Sequence, residues 1–267
     1  MYDILRCPVC GENLTAEGGR LFCTRGHSFD MAKEGYVNLL SGGHKSGEEI
    51  GDNRQMARSR KNFLDKGYYS PLADAAAGLL EQRQPKTVLD ICCGEGYYTE
   101  YLSKRYRGGS FYGFDISKEM VRLAAKRRCG ASLFVANISR IPIRDESVDF
   151  AFHFFAPFHS GEFYRIIKQG GMLVTAIPGK RHLFGLKQVL YDTPYENDEA
   201  LPDVGNFKIT RKIKVRDEIT LTDSEDMLSL LQMTPYYYHT PTEGINKLCA
   251  LSSLTTEIEF VLVCCEK

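Results

Sequence analysis

From residue 86 onward, short apolar runs alternate with segments of helical periodicity. The runs predict strands at Thr87–Ile91, Ser110–Asp115, Leu133–Ala136, Val148–Phe154 and Met172–Pro178. Between them the pattern predicts helices near 98–106, 118–128 and 160–168, the last ending at Gly170-Gly171 as a C-cap. Such alternation implies an α/β domain with a mostly parallel, doubly wound sheet covered on both faces. After residue 178 the runs lengthen and become more polar. Phe207–Ile219 and Glu257–Cys265 predict a terminal antiparallel pair. Two helices fall between them, opening with capping boxes from Thr222 to Glu225 and from Thr240 to Glu243, the second with Pro241 at its first turn. Upstream, 53–66 reads as a helix with Met56, Phe63 and Leu64 facing inward. Arg54, Arg58 and Lys61 share its other face, with Arg60 beside them. A cleaner helix starts near Pro71, carries the stripe Leu72, Ala75, Ala76, Leu79 and Leu80, and stops before Pro85. The Gly-rich polar stretch 41–52 reads as a linker or mobile loop.

Composition narrows the class. The chain has 267 residues, 43% of them apolar, enough for a sizeable core. Lys+Arg and Asp+Glu are both 34. Zero net charge argues against a histone-like or tail-driven nucleic-acid binder, and leaves room for local basic patches. No apolar run approaches the roughly 18–20 residues of a membrane helix, and MYDILRCPVC lacks the order of a signal peptide. A cytoplasmic protein with reduced cysteines is the expectation.

The nine cysteines are unevenly placed. Cys7, Cys10, Cys23 and His27 follow C-x2-C-x12-C-x3-H. Two tight pairs about a dozen residues apart suit a tetrahedral zinc site, each pair forming one knuckle. Gly11 suits a knuckle turn and Gly18-Gly19 a hairpin tip. Leu14, Leu21 and Phe22 are too few for a core, so a structural metal would supply the missing stability. Unligated thiols are the alternative. The other six cysteines form no ligand pattern and read as small buried hydrophobes.

The first predicted strand runs into VLDICCGEGYYT. Gly94 and Gly96 let the backbone approach a ligand at a strand-to-helix turn. Asp115, 21 residues after Gly94, ends the next strand and could accept both hydrogens of a ribose diol. The dinucleotide spacing G-x-G-x-x-G fails, because position 99 is Thr and Cys92 replaces the first glycine. Glu95 would repel a pyrophosphate. A cationic ligand with a ribose fits better, which points to S-adenosylmethionine (SAM); a dinucleotide and a cofactor-free core are the alternatives. The candidate cofactor lining is Asp90, Gly94, Glu95, Gly96, Tyr98, Thr99, Asp115, Ile116, Asn137 and Ile138. The fold expected is therefore a Rossmann-like class I SAM-dependent methyltransferase. Its fourth strand ends in HFFAPF, without the Pro-Cys or Asn/Asp-Pro-Pro-aromatic signatures of other methyl acceptors. A ring nitrogen or other acidic N–H is left by elimination.

With these residues in view, the chain resembles the RlmA (RrmA/TlrB) family, bacterial methyltransferases for guanine N1 in 23S ribosomal RNA. The resemblance runs nearly end to end. It covers CPVCG with the zinc spacing, FDMAKEGYVNLL, GDNRQMARSRKNFLDKGYYSPL, VLDICCGEGYYT, PGKRHLFGLK and LLQMTPYYY. It implies a zinc module at 1–35 that helps to grip RNA, a linker and basic helix at 36–72, and a SAM domain at 73–267, in a homodimer. It also implies Cys7, Cys10, Cys23 and His27 as zinc ligands, and Tyr69, Gly94, Glu95 and His182 as cofactor contacts. Cys92 stands where a glycine is usual.

Guanine N1 carries a proton that must leave, so a base or a water is required. His182 is a candidate, against a satisfied loop histidine; His153, mid-strand, reads first as structural. Tyr68, Tyr69, Phe155 and Phe158 could stack on a base, or form core. Arg54, Arg58, Arg60 and Lys61 are the candidate phosphate-contacting face, against a solvated helix face. Lys126, Arg127 and Arg128 read as a solvated helix end. The expected partner is a 23S rRNA hairpin, with no membrane. A small-molecule methyltransferase with a purely structural zinc is the alternative.

Overall fold

The structure, a computed structural model, describes residues 2–40 and 54–267; the linker expected at 41–52 lies outside the described residues. Near the N-terminus β1 (Thr15–Glu17), β2 (Arg20–Phe22) and β3 (Ser28–Asp30) form an antiparallel sheet in that order. Gly18 and Gly19 join β1 to β2 with φ of +58° and +78°, the left-handed pair that a tight hairpin turn requires.

The remaining elements are β4 (Val37–Asn38), α1 (Arg54–Asp65), α2 (Ser70–Arg83), β5 (Thr87–Ile91), α3 (Tyr97–Arg105), β6 (Ser110–Asp115), α4 (Lys118–Lys126), β7 (Ser132–Val135) and β8 (Val148–Phe154). They continue with α5 (Ser160–Ile166), β9 (Ile167–Pro178), α6 (Phe184–Leu190), β10 (Lys208–Leu221), α7 (Ser224–Gln232), α8 (Thr242–Cys249) and β11 (Leu254–Glu266). One eight-stranded sheet runs β10-β11-β9-β8-β5-β6-β7-β4. Its strands from β4 to β9 are parallel, and β11 and β10 close it as an antiparallel pair. The chain moves outward from β5 through β6 to β7, then returns to β8 on the other side. The switch point therefore lies between β5 and β8, where an open α/β sheet binds its ligand.

Successive residues of each strand feed opposite layers. Val88, Phe150, Phe152, Val174 and Phe260 pack under α2, α6 and α7. Leu89, Phe114, Phe134, Ala151 and Val263 pack on the other side, together with Leu5, Leu14 and Leu21 of the N-terminal module. That module is also tied by backbone. Leu5 bridges Ile143, the Arg6 N–H donates to the Pro142 carbonyl at 3.0 Å, and the Arg144 N–H donates to the Ile4 carbonyl at 2.9 Å.

Several local expectations change. Gly170 and Gly171 do not cap α5; Ile167 turns extended (φ −80°, ψ 137°) and β9 begins there. The glycines lie within β9 where its register with β8 shifts. α7 is capped by Asp223, whose carboxylate accepts the Glu225 N–H at 2.9 Å, not by Thr222. At α8 the Thr240 hydroxyl donates to the Tyr236 carbonyl of a preceding 3-10 turn (Pro235–Tyr238), so Pro241 is the cap and no side chain serves. α6 and β4 were not anticipated: seven and two residues are too short for a periodic signal. Among the described residues, no helix is long and apolar enough to cross a membrane.

Phe114 stacks on Phe134 at 5.4 Å between ring centres, both fully buried. Phe114→Ala should therefore cost about 3–5 kcal/mol in urea unfolding; a loss below about 1 kcal/mol would mean that this layer is not close-packed.

Candidate cofactor cleft and metal centre

Cys7, Cys10, Cys23 and His27 bring their ligand atoms within 4.8 Å of one another. Each pair sits on a glycine-dependent knuckle. The Gly11 N–H donates to the Cys7 carbonyl at 2.9 Å, and the Gly26 N–H to the Cys23 carbonyl at 3.0 Å. Both glycines are left-handed, at φ +81° and +83°. The Cys10 and Cys23 sulfurs are 3.6 Å apart, and His27 Nδ1 is 3.3 Å from the Cys23 sulfur. Sulfurs bound about 2.3 Å from one tetrahedral centre would be about 3.8 Å apart, so the cluster matches zinc. Four protein ligands leave no position for a water, which makes the site structural.

The cofactor turn follows β5. Cys92 takes φ +59°, and Gly94 and Gly96 take +54° and +84°. The Gly94 N–H donates to Asp115 Oδ2 at 3.0 Å, while Asp115 Oδ1 accepts the Ser117 N–H at 2.9 Å. Asp115 thus fixes the turn after β5 to the loop after β6. Asp90 is buried and accepts a hydrogen bond from the Thr99 hydroxyl; burial pushes its carboxyl well above the usual range. A Cβ on Gly96 would meet Ala124 Cβ at 2.7 Å, so α4 packs directly on the turn. Ile116 follows β6, and Asn137 and Ile138 follow β7, all partly exposed. Asn137 Oδ1 accepts the Ser139 N–H at 2.9 Å. The ends of three adjacent parallel strands therefore present these candidates along one edge.

Glu95 is placed differently from the sequence expectation. Its carboxylate is 1% exposed and paired with Arg127, whose Nε reaches Oε2 at 2.9 Å. Arg127 also holds Glu100 at 2.6 Å and Asp65 at 2.7 Å. The supposed solvated helix end therefore contains a buried hub. Glu95 is neutralised by it, so pyrophosphate repulsion no longer argues from this residue. The dinucleotide reading fails on the glycine spacing alone.

Neither histidine is free to take a proton. His182 is buried; its Nδ1 accepts the Glu259 N–H at 3.2 Å. The single ring proton then sits on Nε2, facing Tyr69 Oη at 3.3 Å. Burial, with the Lys187 cation second, brings its ionisation down to about 3. His153 is likewise buried, between Thr175 Oγ1 and the Pro157 carbonyl at 3.1 Å each. The carbonyl can only accept, so Nε2 donates and Nδ1 accepts, and burial brings this ring down to about 4. Both ring nitrogens of each histidine are thus engaged, which favours a positioning role over the base role considered for them. Tyr69 is buried in the main core and packs on Phe260 as well as His182. Phe155 is 40% exposed with φ +57°, at the lip of β8, while Phe158 packs on His153 and Phe163.

The basic helix is less uniform than its spacing suggests. Arg54 and Arg58 are exposed. Lys61 is paired with Asp65. Arg60 is half-buried, and its charge is felt at Tyr69, Glu95 and Tyr98, so it turns toward the cofactor side.

Residues 5–48 match the family description "RlmA, N-terminal", a zinc ribbon, and 88–171 match "Methyltransferase domain". A Bacillus subtilis (strain 168) protein provisionally named a 23S rRNA (guanine-N(1)-)-methyltransferase is 32% identical over 98% of this chain and 97% of its own length. The Streptomyces fradiae 23S rRNA (guanine(748)-N(1))-methyltransferase is 35% identical over 70% of this chain and 67% of its own. The chain belongs to the RlmA family of 23S rRNA (guanine-N1-)-methyltransferases. A malonyl-[acyl-carrier protein] O-methyltransferase of Salmonella typhimurium is 33% identical, but over only 38% of the chain. A solved SAM-dependent methyltransferase from Aquifex aeolicus aligns at 19% identity and a TM-score of 0.46, over 78% of this chain and 97% of that one.

RlmA-type proteins are SAM-dependent, and the cleft fits that cofactor. Tyr98, in the first turn of α3, has a buried hydroxyl with no hydrogen-bond partner among the described residues. Its ring is wedged against Phe154 and Tyr97. A buried unpaired donor is costly, and a polar ligand group that reached it would satisfy it.

NMR titration should find both imidazoles still neutral at pH 6.5; an ordinary ionisation for His182 would restore it as a proton acceptor. The unfolded chain protonates both rings and the folded chain neither. Stability should therefore fall as pH drops from 6.5 toward 4, by up to about 1.4 kcal/mol per pH unit per ring. Gly96→Ala should weaken SAM binding by tenfold or more in calorimetry, because α4 must move away from the turn; unchanged affinity would show that the contact with Ala124 is not a constraint.

Proposed function

We propose that this chain transfers a methyl group from SAM to N1 of a guanine in a hairpin loop of 23S rRNA. The observation that carries the reading is the end-to-end match to a named guanine-N1 methyltransferase, zinc ribbon included. Relatives with other acceptors share only the methyltransferase core.

Bound SAM supplies an electrophilic methyl group on a sulfonium. The protein's work is then placement, since transfer needs the acceptor nitrogen in line with the methyl. Asp115 would receive the ribose hydroxyls of the bound cofactor, Gly94 and Gly96 would let the backbone close on it, and Asn137 and Ile138 would border its adenine. Tyr98 would hold its hydroxyl for a polar group of the cofactor. His182 and Tyr69 brace the wall formed with Phe260. In a stacked hairpin the N1 edge is hidden, so the guanine is flipped or offered from a loop. Phe155, exposed at the lip, gives it a ring to stack on. With both histidines committed, the N1 proton passes to water at the open mouth. Cys7, Cys10, Cys23 and His27 hold the zinc that shapes the ribbon, and the ribbon with Arg54 and Arg58 grips the RNA. The working form in this reading is a cytoplasmic homodimer.

The test supplies methyl-labelled SAM with unmodified 23S rRNA in one reaction and a small-metabolite extract in another. Label recovered from the rRNA as 1-methylguanosine is the expected result. Label in the extract alone would overturn the reading in favour of a small-molecule acceptor, with zinc serving structure only.

A further inference from the structure

β10 is the outer strand of the main sheet, and five of its first nine residues are cationic: Lys208, Arg211, Lys212, Lys214 and Arg216. All five are exposed. In a chain of zero net charge this is a strong local segregation. Lys212, Lys214 and Arg216 oppose Val263, Val261 and Glu259 of β11, so they share one face of the sheet. It is the layer that also carries the zinc ribbon. Arg211 opposes Cys264 and points to the other layer. Same-face residues on an antiparallel strand are about 6.8 Å apart, close to the step between successive phosphates of an extended nucleic-acid backbone. Arg216 stands at the cleft end. It pairs at 2.7 Å with buried Glu259, whose other oxygen accepts the Arg181 N–H and whose own N–H donates to His182. Lys214 pairs with Glu199 at 3.4 Å. Among the described residues, no carboxylate pairs with Lys208, Arg211 or Lys212.

Edge strands often carry a lysine to deter pairing with another chain. One or two such charges suffice for that. Five, on both faces and within the first nine residues of the free edge, exceed it, and they also set like charge against like charge where two such segments would pair. We infer that β10 is a phosphate track that guides the RNA backbone along the sheet edge to the cofactor cleft. This rests on the rRNA reading above, and adds a contact surface separate from the basic helix α1. The contacts are to backbone, so the track contributes affinity and alignment without choosing the base.

The test measures binding of protein-free, unmodified 23S rRNA to the full chain over a range of KCl concentrations. The variant is Lys208→Gln/Arg211→Gln/Lys212→Gln. Each lost phosphate contact removes about 0.7–0.9 from the slope of log K against log salt. The triple variant should therefore lose about 2–3 in slope and at least tenfold in affinity. SAM affinity should stay within twofold, which also reports that the fold is intact. Lys208→Arg/Lys212→Arg should keep the wild-type slope. An unchanged slope in the triple variant, with RNA still bound by the wild type, overturns the track and leaves the rRNA reading standing. Wild-type protein that binds no 23S rRNA overturns both. A triple variant that self-associates in sedimentation, with its slope unchanged, would assign the row to edge protection instead.

Discussion

The guanidinium of Arg127 ties the cofactor turn to three helices. Arg127, at the end of α4, reaches carboxylates from α1, from the turn itself and from α3. Its side chain is 8% exposed and that of Glu95 1%. Removing Arg127 would strand the buried Glu95 carboxylate, a loss of about 3–5 kcal/mol in comparable pairs. Gly96 meets the same helix beside Arg127, where Ala124 leaves no room for a side chain. The turn is thus clamped by charge and by shape at once, and three helices depend on the clamp for their relative positions.

What was legible in the sequence was what is local. The five central strands are short, mostly apolar runs, and their positions follow from burial on both faces. The zinc spacing is local too, since each knuckle closes within five residues. The Arg127 hub was not legible, because its partners lie 62, 32 and 27 residues away and a run of three cations looks like a solvated end. His182 misled for the same reason. Whether a ring nitrogen is free depends on the Glu259 N–H, 77 residues downstream, which no spacing reveals. The cationic edge strand escaped because its residues read simply as a polar strand. Only the strand order shows that one side of it is uncovered.

At the two strand ends that flank the cleft, residues other than glycine adopt left-handed backbone. Cys92 follows β5 and Phe155 follows β8, with φ of +59° and +57°. These strands are neighbours, and the ligand position lies between their ends. Each such residue costs about 1–2 kcal/mol. The surrounding sheet over-determines both conformations. At β5 the conformation admits a cysteine where a glycine would be free of strain. At β8 it turns an aromatic ring outward that an extended backbone would send into a layer.

The zinc ribbon has no core of its own. Leu5, Leu14 and Leu21 belong to the same buried layer as Phe114 and Phe134 of the central sheet. Metal occupancy is therefore coupled to the cooperative unfolding of the whole chain, and not to a detachable appendage. While the native state binds zinc and the unfolded chain does not, each tenfold rise in free zinc above the dissociation constant adds about 1.4 kcal/mol to the stability of the entire molecule. The cell's zinc buffering would then set how much intact enzyme persists, even though the metal never touches the reacting atoms.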